Sequence, residues 1–482
     1  MKKSIVRITL SIGILCTGYS SWSQAKKWTI AECVAYALEN NISIKQSELD
    51  TQAAAIDKKD AFGNFLPTVN ANASHSWNIG LNQNITTGLL ENQTTQFTAA
   101  GLNSSISIYN GLQNQNRARR ARLSIIAAQY QLDKMKDDIS LNVANAFLQI
   151  LFNKENLKVQ NEQLVSNERQ LSRTQELVNA GSIPKGDLLD VQATVSSNEQ
   201  AVVIAENALL ISKLSLAQLL QLDDFQNFDI ADVDYAVQDS PTMLLGADAI
   251  YEKAREQRVE LKIARTNLEI AERDVKIAKG AYEPSLQGFY SFSTRAAYSD
   301  RVVGVVPNVS NPTSVIGTVD VDGTNYSVLQ QNFSPLLAGP APLWEQFDDN
   351  KGHSFGLQLN IPILNGFAVK NNVARAKINS ERFKIAYQQQ ELDLERNVFT
   401  AFADANGALN SYEAAVAALN ARAEAYAYAK EKFNVGLMNA FDLNQAQTLY
   451  VNAQSEVLRT KYDYIFRVKV VEFYFGIPII QN

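Results

Sequence analysis

Two cysteines and two histidines in 482 residues leave little material for metal or nucleophile chemistry. His75 and His353 stand far apart, and neither belongs to a Cys/His pair with metal-ligand spacing. No Gly-rich phosphate loop and no nucleophile elbow is present. An enzyme is therefore not expected, and no catalytic residue, cofactor or metal site is assigned. If Cys16 leaves with a leader, Cys33 is the sole remaining cysteine, which excludes an intramolecular disulfide; a small buried apolar role suits it. Beyond the N-terminus no apolar run approaches the ~20 residues that a membrane-crossing helix needs. Contact with a membrane would have to be made as a closed β-barrel.

The leader itself is legible. Met1-Lys2-Lys3 and Arg7 are basic, Ile8 to Leu15 is a short apolar core, and Ser21-Trp22-Ser23 offers small residues for cleavage before Gln24. Residues 1–23 read as a signal peptide, with lipidation at Cys16 as the competing reading. Its removal takes three of the 44 basic residues, and 41 against 50 acidic ones leaves −9. A mildly acidic exported chain does not suit nucleic acid.

What the chain has is a second copy of itself. Ile106-Ser107-Ile108-Tyr109-Asn110-Gly111 returns as Ile361-Pro362-Ile363-Leu364-Asn365-Gly366, a shift of 255. Arg120-Ala121, Asn142-Val143, Ala146-Phe147, Gly181 and Asp187-Leu188 recur at the same shift, with no gap. Loops tolerate insertion, so a fixed length this long points to a length under constraint. Earlier in each half, Gly63-Asn64-Phe65-Leu66-Pro67 matches Gly280-Ala281-Tyr282-Glu283-Pro284 at a shift of 217. Proline ends a helix and holds its predecessor extended. Each motif therefore marks a helix-to-strand junction, after helices expected over Thr29–Phe62 and Ala247–Lys279.

Period two follows. Val69, Ala71, Ala73, His75, Trp77 and Ile79 alternate with Thr68, Asn70, Asn72, Ser74, Ser76 and Asn78. Leu102 to Ile108, Leu286 to Phe292 and Phe355 to Ile363 alternate likewise. An antiparallel sheet lying on a core would show one apolar face. Here the opposite face is small, uncharged Asn, Ser, Thr and Gln, which suits lipid outside and water inside. Four strands cannot enclose a channel, so the barrel must be shared between subunits. The hairpin tips are expected over 80–98 and 294–352. The second accounts for the change of shift, a net insertion of 38 (255 − 217).

After each strand pair, helix patterns run from Leu112 to about Val178 and from Phe367 to about Phe433, each on the order of 100 Å long. Such lengths imply coiled-coil-like packing, and nine of the sixteen residues 414–429 are alanine, which lets helices approach closely. Gly181 and Gly436 fit C-terminal αL caps. Return helices start near Asp187 and Asp442, where a carboxylate suits the positive helix end. They are about half as long, so the helix before the strands supplies the rest. The acidic segment 223–246 reads as a solvated connector. The organisation expected is a signal peptide (1–23), a first repeat (24–222), the connector (223–246), and a second repeat (247–482) with its longer outer loop at 294–352.

On these residues the chain resembles the TolC family of outer-membrane efflux and export channels. Phe433-Asn434-Val435-Gly436, Asp442-Leu443, Ala446-Gln447 and Leu449-Tyr450 are similar to the family's second hairpin tip, and Gly181 with Asp187-Leu188-Leu189 to the first. The resemblance implies an internally duplicated α+β membrane protein. Each subunit of a homotrimer would give four strands to a twelve-stranded outer-membrane barrel, continued by a long periplasmic α-helical barrel. It implies passive conduction from an inner-membrane transporter through a periplasmic adaptor, with outer-membrane lipid around the strands. Asp442 matches a pore-narrowing ring aspartate and Asp187 the first tip's aspartate. Met438 stands where some members carry a locking arginine, and Gln445 where a second ring carboxylate is expected, so the charge lock does not transfer. Gly181, Ser182, Val435, Gly436 and Leu437 match tip turns that meet the adaptor. Arg117, Arg119, Arg120 and Arg122, echoed by Lys370, Arg375 and Lys377, are either a solvated face or a lipid head-group contact. The alternatives are the outer component of type I protein secretion, a passive porin, which needs no such helices, and a purely structural coiled coil, which needs no strands.

Overall fold

The structure is a computed structural model that describes residues 27–84, 88–222, 227–233, 237 and 240–478; the leader and Cys16 lie outside them. The first copy runs β1 (Lys27–Trp28), α1 (Ile30–Asn40), α2 (Ile42–Gly63), β2 (Thr68–Gln83), β3 (Leu90–Asn110), α3 (Gln113–Asn179) and α4 (Lys185–Leu220). After β4 (Asp229–Ile230) and a 3₁₀ turn, the second runs α5 (Ala247–Gln257), α6 (Val259–Gly280), β5 (Ser285–Ala297), β6 (Arg301–Pro307), β7 (Thr313–Val321), β8 (Thr324–Gln331), β9 (Phe333–Ala338), α7 (Leu343–Asp349), β10 (Gly352–Asn360), α8 (Ala368–Asn434) and α9 (Ala440–Phe475). The duplication is exact in helix length. α1, α2, α3 and α4 have 11, 22, 67 and 36 residues, and so do α5, α6, α8 and α9.

Two compact units form, each drawing on both copies. One comprises Met1–Thr51, Ala128–Ala264 and Ala386–Asn482, the other Gln52–Ala127 and Arg265–Ile385. The first is helical and holds the main core, in which Phe147, Leu151, Leu216, Leu220 and Ile230 are buried. Trp28 meets Tyr36 edge-on at 5.2 Å beside it. Cys33 is fully buried, as a small apolar residue would be.

The pre-strand helices differ from the sequence expectation: each is broken once, without proline or glycine at the break. Thr29 and Glu32 open α1 with a reciprocal capping box. At Asn41 the backbone turns extended (ψ 129°); its Oδ1 accepts from Ser43 N at 2.9 Å and its Nδ2 donates to Leu219 O at 3.1 Å. Arg258 repeats the break (ψ 131°). Its buried guanidinium stacks 3.9 Å over Phe473 and forks onto Glu260 at 3.1 and 2.8 Å. Tertiary partners at these side chains outcompete local helix continuity.

The second unit holds an antiparallel sheet in the order β10-β5-β3-β2. Ladder pairing between β2 and β3 continues to Gln83↔Leu90, so most of the expected tip at 80–98 is strand. β10 ends at Asn360, short of Ile363, because Pro362 cannot donate to a ladder. The segment 294–352 is folded: β6 pairs with β9, β7 with β8, and α7 follows. α7 closes the part of the β5 edge that β10 does not reach. Gln346 accepts from Ala297 N at 2.9 Å and donates to Ala297 O at 3.0 Å, and Asn350 donates to Arg295 O at 2.9 Å. An open strand edge is thereby satisfied by carboxamides.

At the junctions, Gly111 (φ 66°) and Gly280 touch backbone to backbone. A Cβ on either would enter the other's carbonyl oxygen. The Asn-Gly motif of one copy and the Gly-x-x-x-Pro motif of the other are therefore one contact.

Candidate functional site

Both helical hairpins end in the same turn. Ser182 N bonds Leu177 O at 2.9 Å and Gly181 N bonds Val178 O at 3.0 Å; Leu437 N bonds Lys432 O at 2.8 Å and Gly436 N bonds Phe433 O at 3.0 Å. Gly181 and Gly436 have φ of 73° and 74°, the left-handed geometry of a Schellman cap. Asp187 and Asp442 sit in the first turns of α4 and α9, where a carboxylate suits the positive helix end, and neither is the capping residue. Pro184 precedes α4 without a side-chain cap, whereas Asn439 caps α9, its Oδ1 accepting from Asp442 N at 2.8 Å. The Asp187 and Asp442 carboxylates have no hydrogen-bond or ion-pair partner among the described residues. Asp442 and Gln445 are exposed, while Asp187 and Met438 are half-buried. Val435 and Leu437 project apolar side chains at the turn, Leu437 78% exposed. No contact joins the two aspartates. Asp190 was missed by sequence reasoning: it is the 255-shift counterpart of Gln445, so the first tip keeps a carboxylate that the second lacks.

The strand register defines two faces. On one, Asn72, Gly101, Ser293 and Gly352 form a row, and Asn70, Asn103, Ser291 and Ser354 the next. Asn103 Nδ2 donates to Asn72 Oδ1 at 3.1 Å and Ser291 Oγ to Asn103 Oδ1 at 2.8 Å, tying three strands across this polar face. On the other face Ala71, Leu102, Phe292 and His353 align, above Val69, Ser104, Tyr290 and Phe355. Val69, Trp77, Ile79, Phe355, Leu357 and Leu359 are all exposed. The apolar face lies on no core, which removes the soluble-sheet reading and leaves lipid as its solvent.

Unpartnered apolar positions recur on the helices at spacings of seven: Ile42, Leu49 and Ile56 on α2, and Ile378, Ile385, Leu392 and Phe399 on α8, all exposed. That period is the seam of a left-handed coiled coil awaiting a partner helix.

The connector is partly folded rather than simply solvated. Phe228 and Ile230 are buried, and β4 pairs in parallel with β1. Asp229 bridges Lys154 and Lys213, each at 2.9 Å; Asp232 bridges Lys154 at 2.8 Å and also Lys27. Burial alone would raise the Asp229 carboxyl, but the two lysines hold it below the usual carboxylate range. Lys154 and then Lys27 hold Asp232 down in the same way. Asp223, Asp224, Asp234 and Asp239 lie outside the described residues. Of the basic cluster, Arg120 pairs with Asp274 at 2.7 Å, and Arg117 donates to Asn114 Oδ1 at 3.2 Å.

An exposed apolar sheet face behind a polar, uncharged one, joined to paired long helical hairpins, defines a membrane-barrel channel subunit. The profile of the outer membrane efflux protein family matches residues 34–221 and 250–468, and the chain belongs to that family. It is 24% identical over 475 residues to outer membrane protein TolC of Escherichia coli K12, covering 95% of this chain and 84% of that protein. It is 21% identical to TolC of Vibrio cholerae, covering 97% and 94%. Among solved structures it is similar to CusC (TM-score 0.73, 16% identity, 93% of this chain and 92% of that one). It is also similar to the Campylobacter jejuni CmeC outer membrane channel (TM-score 0.73, 19% identity, 94% and 87%). The protein is an outer-membrane efflux channel.

Proposed function

We propose that three copies of this chain form the outer-membrane channel of a tripartite export system. The assembly passively conducts substrates that an inner-membrane transporter delivers through a periplasmic adaptor. The observation that carries the closed ring is a contact made once in the chain and left open once. Gly111 of the first copy packs on Gly280 of the second; their repeat counterparts, Gly366 and Gly63, have open space where that neighbour would be. Gly366 has φ 56° and is followed by Phe367 at φ 65°, as Gly111 is followed by Leu112 at φ 60°. The backbone of the second junction is thus prepared for the same contact, and a second chain can supply it. The free edges of β10 and β2 and the heptad-spaced stripes of α2 and α8 support the same closure. In a bilayer a strand edge must be paired.

The tips support the docking reading. Val435 and Leu437, with Phe441 one turn on, form a small exposed apolar patch that suits the hairpin end of an adaptor. Asp442, with Asp187 and Asp190, would place carboxylate rings at the periplasmic mouth, where like charges repel and favour cations. Met438 and Gln445 give that mouth no arginine lock and one carboxylate ring fewer. The test is the mass of the purified protein in detergent together with single-channel conductance in a planar bilayer. A trimeric mass with discrete cation-preferring openings is expected, and a monomer without conductance even after Asp442→Ala would refute the channel.

A further inference from the structure

Residues 301–338 form one long two-stranded ribbon. β6 pairs with β9 and β7 with β8, and backbone bonds from Asn308 N to Asn332 O (2.8 Å) and from Asn332 N to Pro312 O (2.9 Å) join the two ladders. The register places Val302 beside Leu337, Val305 beside Pro335 and Pro307 beside Phe333 on a single face, which is wholly apolar. Val305 is 65% exposed. Beyond the joint the alternation of β8 continues that face through Gln331, Leu329, Ser327 and Asn325, so the wholly apolar part is confined to the β6/β9 ladder. An isolated two-stranded hairpin is marginal in water, and an exposed, wholly apolar face normally marks a covered surface.

Lipid does not suit it, because both ribbon edges carry unpaired backbone groups that hydrocarbon cannot satisfy. Charge offers a foreign protein little to recognise. The ribbon holds only Arg301, Asp320 and Asp322, with Arg301 already facing Glu345 at 3.9 Å. Its position favours another copy of this chain. It leaves the sheet at β5 and returns through α7 to β10, the edge strand at which the shared barrel passes to the next subunit. Three ribbons thus stand on the seams of one barrel rim, and their apolar faces can meet without burying a charge.

We propose that the 301–338 ribbons of three subunits pack their apolar faces on one another, forming a β-walled collar above the outer mouth of the barrel. This rests on the trimer reading. Cys33 is buried, so a cysteine placed in the ribbon is the reactive one. Val305→Cys and, independently, Leu337→Cys on the same face are made in the full chain, purified as the native assembly and treated with a short-arm bismaleimide. Val306→Cys, paired with Ser334 on the opposite face and exposed, is the control. The collar predicts a covalent dimer from Val305→Cys or Leu337→Cys and at least tenfold less from Val306→Cys. A trimeric mass with no dimer from either apolar-face variant, their thiols capped instead by a monofunctional maleimide, overturns the collar alone; a foreign or lipid occupant would give this result. A monomeric mass overturns the trimer and the collar together.

Discussion

Replacing Gly63 with alanine separates a free chain from an assembled one, because the two states predict opposite signs. Gly63 is the last residue of α2, and a Cβ built on it meets nothing within 4 Å of the chain. In an isolated subunit, alanine at a helical position stabilises by roughly 0.5–1 kcal/mol over glycine, chiefly by restricting the unfolded chain. In a ring, that Cβ meets the Gly366 carbonyl of the next subunit, as a Cβ on Gly280 meets the carbonyl of Gly111. The obstruction is backbone, which cannot rotate away. Overpacking of this kind costs about 1–3 kcal/mol per site, so three seams cost roughly 3–9 kcal/mol. At about 1.4 kcal/mol per tenfold, assembly should weaken by roughly two to six orders of magnitude.

Detergent-solubilised protein, followed by native mass against concentration and by thermal melting of the monomer, reads both signs. Gly63→Ala should melt at or above the unsubstituted monomer yet fail to form trimers at concentrations where the unsubstituted chain does. Gly280→Ala is the internal control: its clash lies within one chain, so it should destabilise the monomer itself. A Gly63→Ala protein that assembles as tightly as the original would show that the open glycines are not a seam, and the repeat-symmetry argument for closure would fail.

At the second tip, Asn439→Ala removes the cap of α9 and should cost ~1 kcal/mol, read as faster hydrogen exchange in the first turn of α9. Asp442→Asn leaves that cap intact and should change cation preference without changing exchange. The connector should loosen in acid. Asp229 and Asp232 are held below their unfolded values, so their stabilisation is present above about pH 4. It is lost as pH falls through the lower folded values, and Lys154→Met should flatten this acid dependence in a pH series of thermal melts. Arg258→Ala strands the half-buried Glu260 and should cost about 3–5 kcal/mol of monomer stability in a denaturant melt. Arg258→Met with Glu260→Leu should recover most of it, since the pair would then be replaced by apolar packing.

The features legible in the sequence are those written in periodicity and punctuation. Gly181 and Gly436 end helices because a left-handed cap needs glycine, and Thr68 to Asn78 alternates because one face meets water. The breaks at Asn41 and Arg258 carry no such mark. Each exists because a distant group, the Leu219 carbonyl or the Phe473 ring, takes the side chain, and sequence separation hides those partners. The connector was misread for the same reason: Asp229 and Asp232 look solvated until Lys154, Lys213 and Lys27 are seen to hold them. Asp190 was recoverable, since the shift that matched Asp187 to Asp442 also matches it to Gln445.

The duplication also says why the tips differ while the helices do not. Helices of 67 and 36 residues recur without the gain of a residue. If three chains alternate two hairpins around one ring, six tips must lie in one plane, and a single inserted residue would displace a tip by ~1.5 Å and rotate the helix face by about 100°. Side-chain identity carries no such penalty. Ile183 and Met438, or Asp190 and Gln445, can diverge freely at equivalent heights, so the ring can present apolar docking patches on one hairpin type and extra carboxylates on the other. Length is where the geometry of closure acts, and the tip side chains are where the two copies are free to take different work.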